Sequence, residues 1–444
     1  MNDNIMNLSL KILEKYPLCN NCLGRQFALL AKGVSNYDRG FSLKLSLTME
    51  AHKLIKKGYL ELGVKILRIL AENGNFNYAL TILNELGYGA KLNIKSCYLC
   101  NNIFSKLDLL ADRIIQKLSE YEFSSFLVGS RIPGEIAEKE DALKSEFNID
   151  FGESFKSEFN RELGKKIQLL TGKEVDFSTP DIVIIVDLVN NKIEINPSPL
   201  FIYGRYRKLV RGIPQCTWIC SNCRGVGCEK CNFTGKKYPT SIQELIASPI
   251  LEFTQGKCIV FHGAGREDVD ARMLGNGRPF IVEVKEPKKR FIDLKKLEER
   301  INENAKGMVE VLNLRFSNRQ EIKKLKALAQ ITEKTYRALV KLSRSISEDK
   351  LRELEEFFTN REIKQRTPKR VLYRRTDKVR IKRVYEIKAK IINPNLIELI
   401  IKCQGGLYVK ELINGDDGRT KPSIAEFLGM DAECVELDVI DVAS

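Results

Sequence analysis

Apolar residues at helical spacing dominate the first hundred positions, and alternating or continuous apolar runs become common after them. Asn7 to Lys15 has helical periodicity. From Ser42 to Leu86, Leu, Ile and Ala recur every three or four residues, which predicts a long helical region. Leu107 to Leu118 predicts a further helix, Ser124 to Gly129 a strand, and Ser154 to Leu170 a helix with its charges outward. Pro180 to Asp187 is almost continuous Ile and Val and predicts a buried strand. Lys192 to Ile195 alternates and would pair with it across Asn190-Asn191. Ser241, followed by Glu244, predicts a capping box opening a helix to Glu252. Cys258 to Phe261 reads as a buried strand, Ile281 to Val284 and Met308 to Phe316 as strands, and Leu294 to Asn304 and Asn318 to Ala329 as helices. Glu333 to Val340 reads as a strand with Tyr336, Ala338 and Val340 on one face. Leu396 to Lys402 and Cys434 to Val442 complete the strands. The pattern is α+β, with a helical opening.

Length and charge narrow the class. The 444 residues can hold about three domains, and 43% hydrophobic residues suffice for real cores. The net charge of +15 favours a polyanionic partner, most simply nucleic acid. No apolar run reaches the roughly 18 residues that a membrane span needs, and no secretory leader is visible. The expectation is a soluble, cytoplasmic protein with no membrane partner, and a monomer.

The twelve cysteines fall mostly in C-x-x-C pairs, which argues for metal rather than a disulfide framework. Cys19 with Cys22, and Cys97 with Cys100, bracket the helical region and can meet at one tetrahedral zinc. Cys220 with Cys223, and Cys228 with Cys231, make a compact second candidate, with Cys216 just upstream. A four-thiolate site is closed, so the zinc would be structural. Cys258, Cys403 and Cys434 lie in apolar runs and are expected to be buried.

The stretch Phe261 to Phe280 carries the candidate chemistry. Gly263 and Gly265 let the chain turn after the apolar run, and Asp268 and Asp270 follow among Arg266, Arg272 and Arg278. A carboxylate at a strand end among arginines can serve as an ionised nucleophile or base. By composition alone, a charged turn with surface ion pairs is the commoner case. Further on, Lys364 to Arg383 holds ten Lys or Arg against the single acid Asp377.

Gly265-Arg266-Glu267-Asp268 resembles the catalytic loop of tRNA pseudouridine synthases. The string through Leu274-Gly275-Asn276-Gly277-Arg278-Pro279-Phe280 resembles the archaeal and eukaryotic pseudouridine-54/55 branch. The resemblance implies Asp268 as the catalytic residue, with Asp270 as fallback. Lys334-Thr335-Tyr336-Arg337-Ala338 is similar to the second family motif, which implies that Tyr336 stacks on the target uracil. Gly405 to Leu412 is similar to the third, which implies substrate-binding Tyr408 and a basic residue, Lys410, paired with Asp268. Lys410 departs from the arginine of bacterial relatives and lacks its fork. Arg266 and Arg278 are carried as substrate-binding residues, and Thr367 to Arg375 as a substrate-facing segment. His262, just before the loop, would orient it. Pro180 to Asp187 together with Tyr203-Gly204-Arg205-Tyr206 resembles a THUMP RNA-binding domain.

The implied organisation is a helical zinc-binding module at 1–104, a THUMP-like α+β domain at 105–210, a cysteine-rich knuckle at 211–240 and a pseudouridine synthase domain at 241–444. That last domain should hold a mixed, mainly antiparallel sheet flanked by helices. The implied activity is isomerisation of tRNA T-loop uridines 54 and 55 through an Asp nucleophile, with the T arm of tRNA as partner and no catalytic cofactor. Two rivals stand beside it. A non-catalytic zinc-containing tRNA-binding protein would keep the cysteines and the charge. Another THUMP-type RNA-modifying enzyme, such as a methyltransferase, would want a glycine-rich cofactor loop. Gly263-Ala264-Gly265 is a weak one, because acidic residues rather than a helix follow it. A zinc deaminase would want His-x-Glu, and His262 is followed by Gly263-Ala264.

Overall fold

The computed structural model describes residues 4–89, 92–373 and 375–443. Arg374, inside the basic segment singled out above, lies outside the described residues. The chain divides into two compact units, Met1–Ser198 and Pro199–Ser444.

The first unit opens with helices. The long periodic stretch forms three of them, Asn36–Lys56, Leu60–Glu72 and Asn77–Glu85, rather than one. Gly58 and Asn75 have positive φ (94° and 47°), which a helix interior cannot adopt. The short helix Asn20–Arg25 packs on Asn36–Lys56 at near backbone contact. A Cβ on Gly24 would sit 1.9 Å from the Asn36 carbonyl oxygen, so only glycine fits.

Cys19 caps that short helix and brings its sulfur to 3.7 Å from Cys100. Cys19, Cys22, Cys97 and Cys100 gather within 4.8 Å of one another. Beside them the wholly buried Arg25 joins Glu140 at 2.9 Å and Glu158 at 3.1 Å, and donates to the Cys22 sulfur at 3.4 Å. Sulfur ligands at about 2.3 Å from a tetrahedral zinc stand about 3.8 Å apart, so this set fits the ion. Cys19→Ser should lower bound zinc by one equivalent per chain and reduce solubility. Metal analysis checks this, and a soluble variant with full zinc content would overturn it.

The unit closes with a four-stranded sheet in the order β2-β1-β3-β4, where β1 is Ser125–Arg131, β2 Glu174–Val175, β3 Ile182–Asp187 and β4 Lys192–Pro197. β1 is parallel to β2 and β3, and β4 returns antiparallel across Asn190-Asn191 as expected. Helix Gly134–Glu146 has no counterpart in the sequence reading. It buries only Glu140 and Leu143, so it has little apolar stripe to detect.

The second unit is built on a ten-stranded sheet. Its strands are β5 (Leu200–Lys208), β6 (Cys258–Gly263), β7 (Arg272–Lys285), β8 (Val309–Ser317), β9 (Glu333–Leu342), β10 (Arg361–Arg366), β11 (Val379–Asn393), β12 (Leu396–Gln404), β13 (Thr420–Lys421) and β14 (Ala432–Val442). The order is β13-β10-β11-β12-β9-β14-β7-β5-β8, with β6 also on β7. Every pair is antiparallel except β14 with β7. The fold is therefore mixed α+β with a mainly antiparallel sheet.

Two readings change here. The stretch Tyr203 to Tyr206 lies in this unit and not at the end of the THUMP-like block. Ile202 and Tyr206 are fully buried in its core, and β5 hydrogen-bonds to both β7 and β8. Cys258 to Phe261 is not a buried strand. Among the described residues β6 pairs only with β7, so it is half exposed, and Cys258 is exposed. Cys403 is buried as expected, and Cys434 is partly so.

Gly275 and Gly277 shape the start of β7. Both have positive φ (59° and 73°), and a Cβ on Gly275 would meet the Ile440 carbonyl oxygen at 1.8 Å. The bare backbone lets Arg205 donate to the carbonyls of Asn276, Gly277 and Val442, tying β5, β7 and β14 together.

Candidate functional site

β6 and β7 run as a ladder that ends at Gly263 opposite Phe280, so residues 264–271 leave the sheet as a loop. The loop is propped from beneath. Glu267 points inward, buried, and accepts from Arg278 Nε at 2.8 Å and from the Tyr206 hydroxyl at 2.9 Å. Arg278 Nη1 also holds the Ala264 carbonyl at 2.9 Å. Gln215 donates to the Tyr206 oxygen at 2.8 Å and to the Gly265 carbonyl at 2.9 Å. Lys208 Nζ reaches the carbonyls of Asp268 (3.2 Å) and Val269 (2.7 Å). Burial pulls the Lys208 ammonium down to about 8, against nearby carboxylates that raise it. Burial, then the Glu267 charge, pushes the Tyr206 phenol well up, so it stays protonated and donates.

Asp268 faces the opposite way, into an open cleft of about 860 Å³. Both of its oxygens meet the Arg370 guanidinium at 3.0 Å, a two-point contact. Arg370 lies in the turn Lys369–Val371 between β10 and β11. Its Nε donates at 2.6 Å to Glu411, a buried carboxylate on the helix Val409–Asn414. Burial works against the Arg370 cation, but hydrogen bonds to Glu411 and the Asp268 charge outweigh it and raise its pKa. The Tyr408 ring lies 6.0 Å from the Arg370 guanidinium carbon, and Tyr408 is anchored through both backbone groups by Gln365.

The expected pairing of Lys410 with Asp268 does not form. Lys410 Nζ binds Asp270 at 2.5 Å, and Asp270 is largely exposed. Burial raises the Asp270 carboxyl, but Lys410 outweighs it and the net shift is downward. Arg370 takes the place at Asp268 because its turn reaches the carboxylate and the buried Glu411 fixes its fork.

The cleft floor comes from β9. Tyr336 stands opposite Val439 of β14 and Ile401 of β12, and Val439 in turn stands opposite Met273 of β7. This register sets Tyr336 beside the end of β7 that follows the 264–271 loop. Burial pushes the Tyr336 phenol up, so it is neutral. Two residues earlier, buried Lys334 reaches the loop from the same face. A Cβ on Gly265 would lie 3.1 Å from its Nζ. Beneath the floor, buried Asp438 collects Arg211 at 2.7 Å, Arg272 at 2.8 Å and Arg337 at 3.5 Å. Cations outnumber acids around the cleft, with Lys326, Arg375, Arg380 and Lys382 also lining it, so it suits an anionic ligand.

Burial, then neighbouring Arg278, pulls Lys334 from 10.5 down to about 8. The unfolded chain therefore holds the extra proton between about pH 8 and 10.5, and this group makes stability rise with pH across that window. Lys334→Met removes the slope. The variant's advantage in melting temperature over the parent should be largest at pH 7 and shrink from pH 8 to 10, and a constant difference would overturn this.

The remaining expectations divide. Arg278 is buried and bonded to the loop, so its direct partners are Glu267 and Ala264. Arg266 is exposed at the cleft, 5.3 Å over the Trp218 ring. His262 faces Glu283 at 3.4 Å instead of the loop, and burial lowers its pKa. Arg370 and Glu411 were not singled out in the sequence. The segment Thr367 to Arg375 is expected to face substrate, but the ten cations of Lys364 to Arg383 give no signal for which one meets the aspartate. Only half of the capping box at Ser241 forms. Its hydroxyl oxygen accepts from the Glu244 N–H, while the Glu244 carboxylate is taken by Lys236 and the Ser241 hydroxyl.

The second cysteine set lies in residues 216–238. Cys220, Cys223, Cys228 and Cys231 gather within 4.8 Å, with neighbouring sulfurs 3.7 to 4.0 Å apart. Backbone N–H groups of Gly227 and Cys228 donate to the Cys223 and Cys231 sulfurs at 3.2 Å. Burial raises the Cys231 thiol, but backbone hydrogen bonds bring it down to about 6, which favours the thiolate that a metal requires. This set also fits a structural zinc.

Comparison with known proteins places these features in context. Residues 201–443 match the family described as Pus10, C-terminal, and residues 110–187 match the Pus10 THUMP domain, archaeal. The chain is 46% identical to the tRNA pseudouridine synthase Pus10 of Methanocaldococcus jannaschii, over 99% of this chain and 95% of that one. It is 44% identical to the protein of the same name from Thermofilum pendens, over 97% and 94%. It is 42% identical to that of Methanothrix thermoacetophila, over 99% and 94%.

Proposed function

The chain belongs to the Pus10 family of tRNA pseudouridine synthases, and from that premise we propose that it isomerises uridines 54 and 55 of the tRNA T loop with Asp268 as the nucleophile. The observation that carries the residue assignment is the two-point clamp of Asp268 by Arg370, itself held by buried Glu411. The choice of positions 54 and 55 rests on the likeness of Leu274 to Phe280 to the 54/55 branch.

The reaction breaks the C1′–N1 glycosidic bond, turns the uracil and joins C5 to C1′. The proton leaves C5 and ends on N1, so substrate and product are isomers. The target uridine must first leave its stack in the folded T loop, at a cost of about a few kcal/mol. Neutral Tyr336 on the floor offers a ring face to the extruded uracil and offsets part of that cost. Asp268 presents an oxygen to the reacting nucleotide in a direction fixed by Arg370. The surrounding cations neutralise the phosphates on either side. Tyr408, beside Arg370, is the side chain we assign to relay the C5 proton. Cys19, Cys22, Cys97 and Cys100, and Cys220, Cys223, Cys228 and Cys231, would hold zinc that supplies rigidity.

The test is incubation with an unmodified tRNA transcript without added cofactor, with pseudouridine mapped by carbodiimide-blocked primer extension. New stops at 54 and 55 are expected. Tight binding with no stops would sink the assignment and favour the non-catalytic tRNA-binding reading.

A further inference from the structure

Lys334 lines the cleft yet is only 6% exposed. Among the described residues its ammonium has no hydrogen-bond acceptor and no ion-pair carboxylate. The groups around it make that burial costlier. A Cβ on Gly265 would lie 3.1 Å from Lys334 Nζ and 3.2 Å from Arg278 Nη1, so two cations crowd one side of the loop. Lys382, also on the cleft wall, adds a further like charge. Of the groups that favour the cation, Glu267 already has both oxygens engaged by Tyr206 and one by Arg278. Cys403 stands opposite Lys334 on β12, and burial pushes its thiol up to about 12, so it is uncharged. A buried ammonium without a protein partner is costly to fold, and such a violation marks function more often than stability.

Its place narrows the ligand. Tyr336, two residues on, lies on the same face of β9, so the ammonium flanks the ring on which the uracil would stack. Lys326 and Arg375, which suit phosphates, are exposed, whereas Lys334 is buried in the floor. We propose that Lys334 is a catalytic residue that donates a hydrogen bond to a carbonyl oxygen of the extruded uracil and stabilises the charge released when C1′–N1 breaks. The inference rests on the synthase reading of the cleft. In that step the bonding pair stays with the uracil and spreads over N1, O2 and O4, while electron-poor C1′ is left to the Asp268 carboxylate. The charge is discharged when C5 joins C1′, and the ammonium keeps its proton throughout. With no protein bond to break first, the donor is in place before charge develops, in a pocket where water does not screen it.

The test compares the parent with Lys334→Met in single-turnover pseudouridine formation on an unmodified tRNA transcript. At neutral pH the saturating rate should fall about 10²-fold, the usual loss of one such donor, with tRNA affinity changed less than about threefold. At sub-saturating enzyme the pH profile reports the free protein. There the parent should lose rate as pH rises through about 8, where Lys334 gives up its proton, and the variant should lack this step. Cys403 and Tyr336 titrate well above that range, Arg278 stays charged, and Lys382 is present in both proteins. A loss in rate below about threefold, or the same pH profile in both proteins, overturns the proposal. The melting temperature separates chemistry from folding, because removal of the buried charge should raise it at pH 7. If the variant melts lower instead, the parent profile decides, and a flat one overturns the proposal. A parent that forms no pseudouridine sinks the synthase reading and this role with it. An active parent beside an unimpaired variant removes the role alone.

Discussion

Asp268→Asn should abolish pseudouridine formation, with a fall of at least roughly 10⁴-fold in single-turnover rate, while tRNA affinity changes by less than about threefold. The amide keeps the shape of the carboxylate and can still accept a hydrogen bond from Arg370, but it has lost the charge and the nucleophilicity. The loop itself should survive. Its props, Glu267 with Arg278 and Tyr206, and Lys208 on the loop carbonyls, do not involve the Asp268 side chain. Rapid-quench kinetics with enzyme in excess separate this loss of chemistry from a loss of binding. Stops that persist at the parental rate would move the nucleophile, with Asp270 tested next.

The second large effect is expected at Arg370. Arg370→Lys keeps a positive charge but removes the fork that spans Asp268 and Glu411. The carboxylate would then be free to rotate, and misplacement of a reacting group by about 1 Å costs about 10²-fold in kcat. KM should change little, because Arg370 is engaged with protein carboxylates. Lys410→Ala is the control. Its partner Asp270 is 67% exposed, and such a pair contributes about 1 kcal/mol or less, so a change below about fivefold is expected. If Lys410→Ala is the damaging variant and Arg370→Lys is mild, the clamp belongs to Lys410 after all.

These two residues also show where sequence reading reaches its limit. Asp268 stands out as a candidate because the string around it resembles a family motif, not because of its spacing alone. The cysteines are legible because ligand spacing is local in the chain. Arg370 is separated from Asp268 by 102 positions, and only the pairing of β10 with β11 fixes where its turn points. The basic run around it reads as substrate-facing by resemblance, with nothing in it to single out Arg370 or to mark the start of a fifteen-residue strand. β6 misled in the other direction. Its apolar residues suggested burial, whereas the strand has one neighbour among the described residues and stays half exposed. The end of the THUMP-like block was equally hidden. The chain runs from β4 to β5 across Ser198-Pro199 with little change in composition, and only the hydrogen-bond ladder shows that β5 belongs with β7 and β8.

The position of β14 has a consequence for synthesis. Among the described residues it is the one strand that joins the β13-to-β9 half of the sheet to the β7-to-β8 half. Asp268 comes from the second half, and Tyr336, Arg370 and Tyr408 come from the first, so the cleft lies along the seam. Yet β14 follows every other strand in the sequence, and its contact from Asp438 to Arg272 spans 166 positions. A chain can therefore pair the strands of each half before the proposed cleft exists. Closing so distant a contact is slow, and until it forms the unpaired edges of β7 and β9 stay open to other chains. The proposed site is thus held together by residues 432–442, which bridge the two halves.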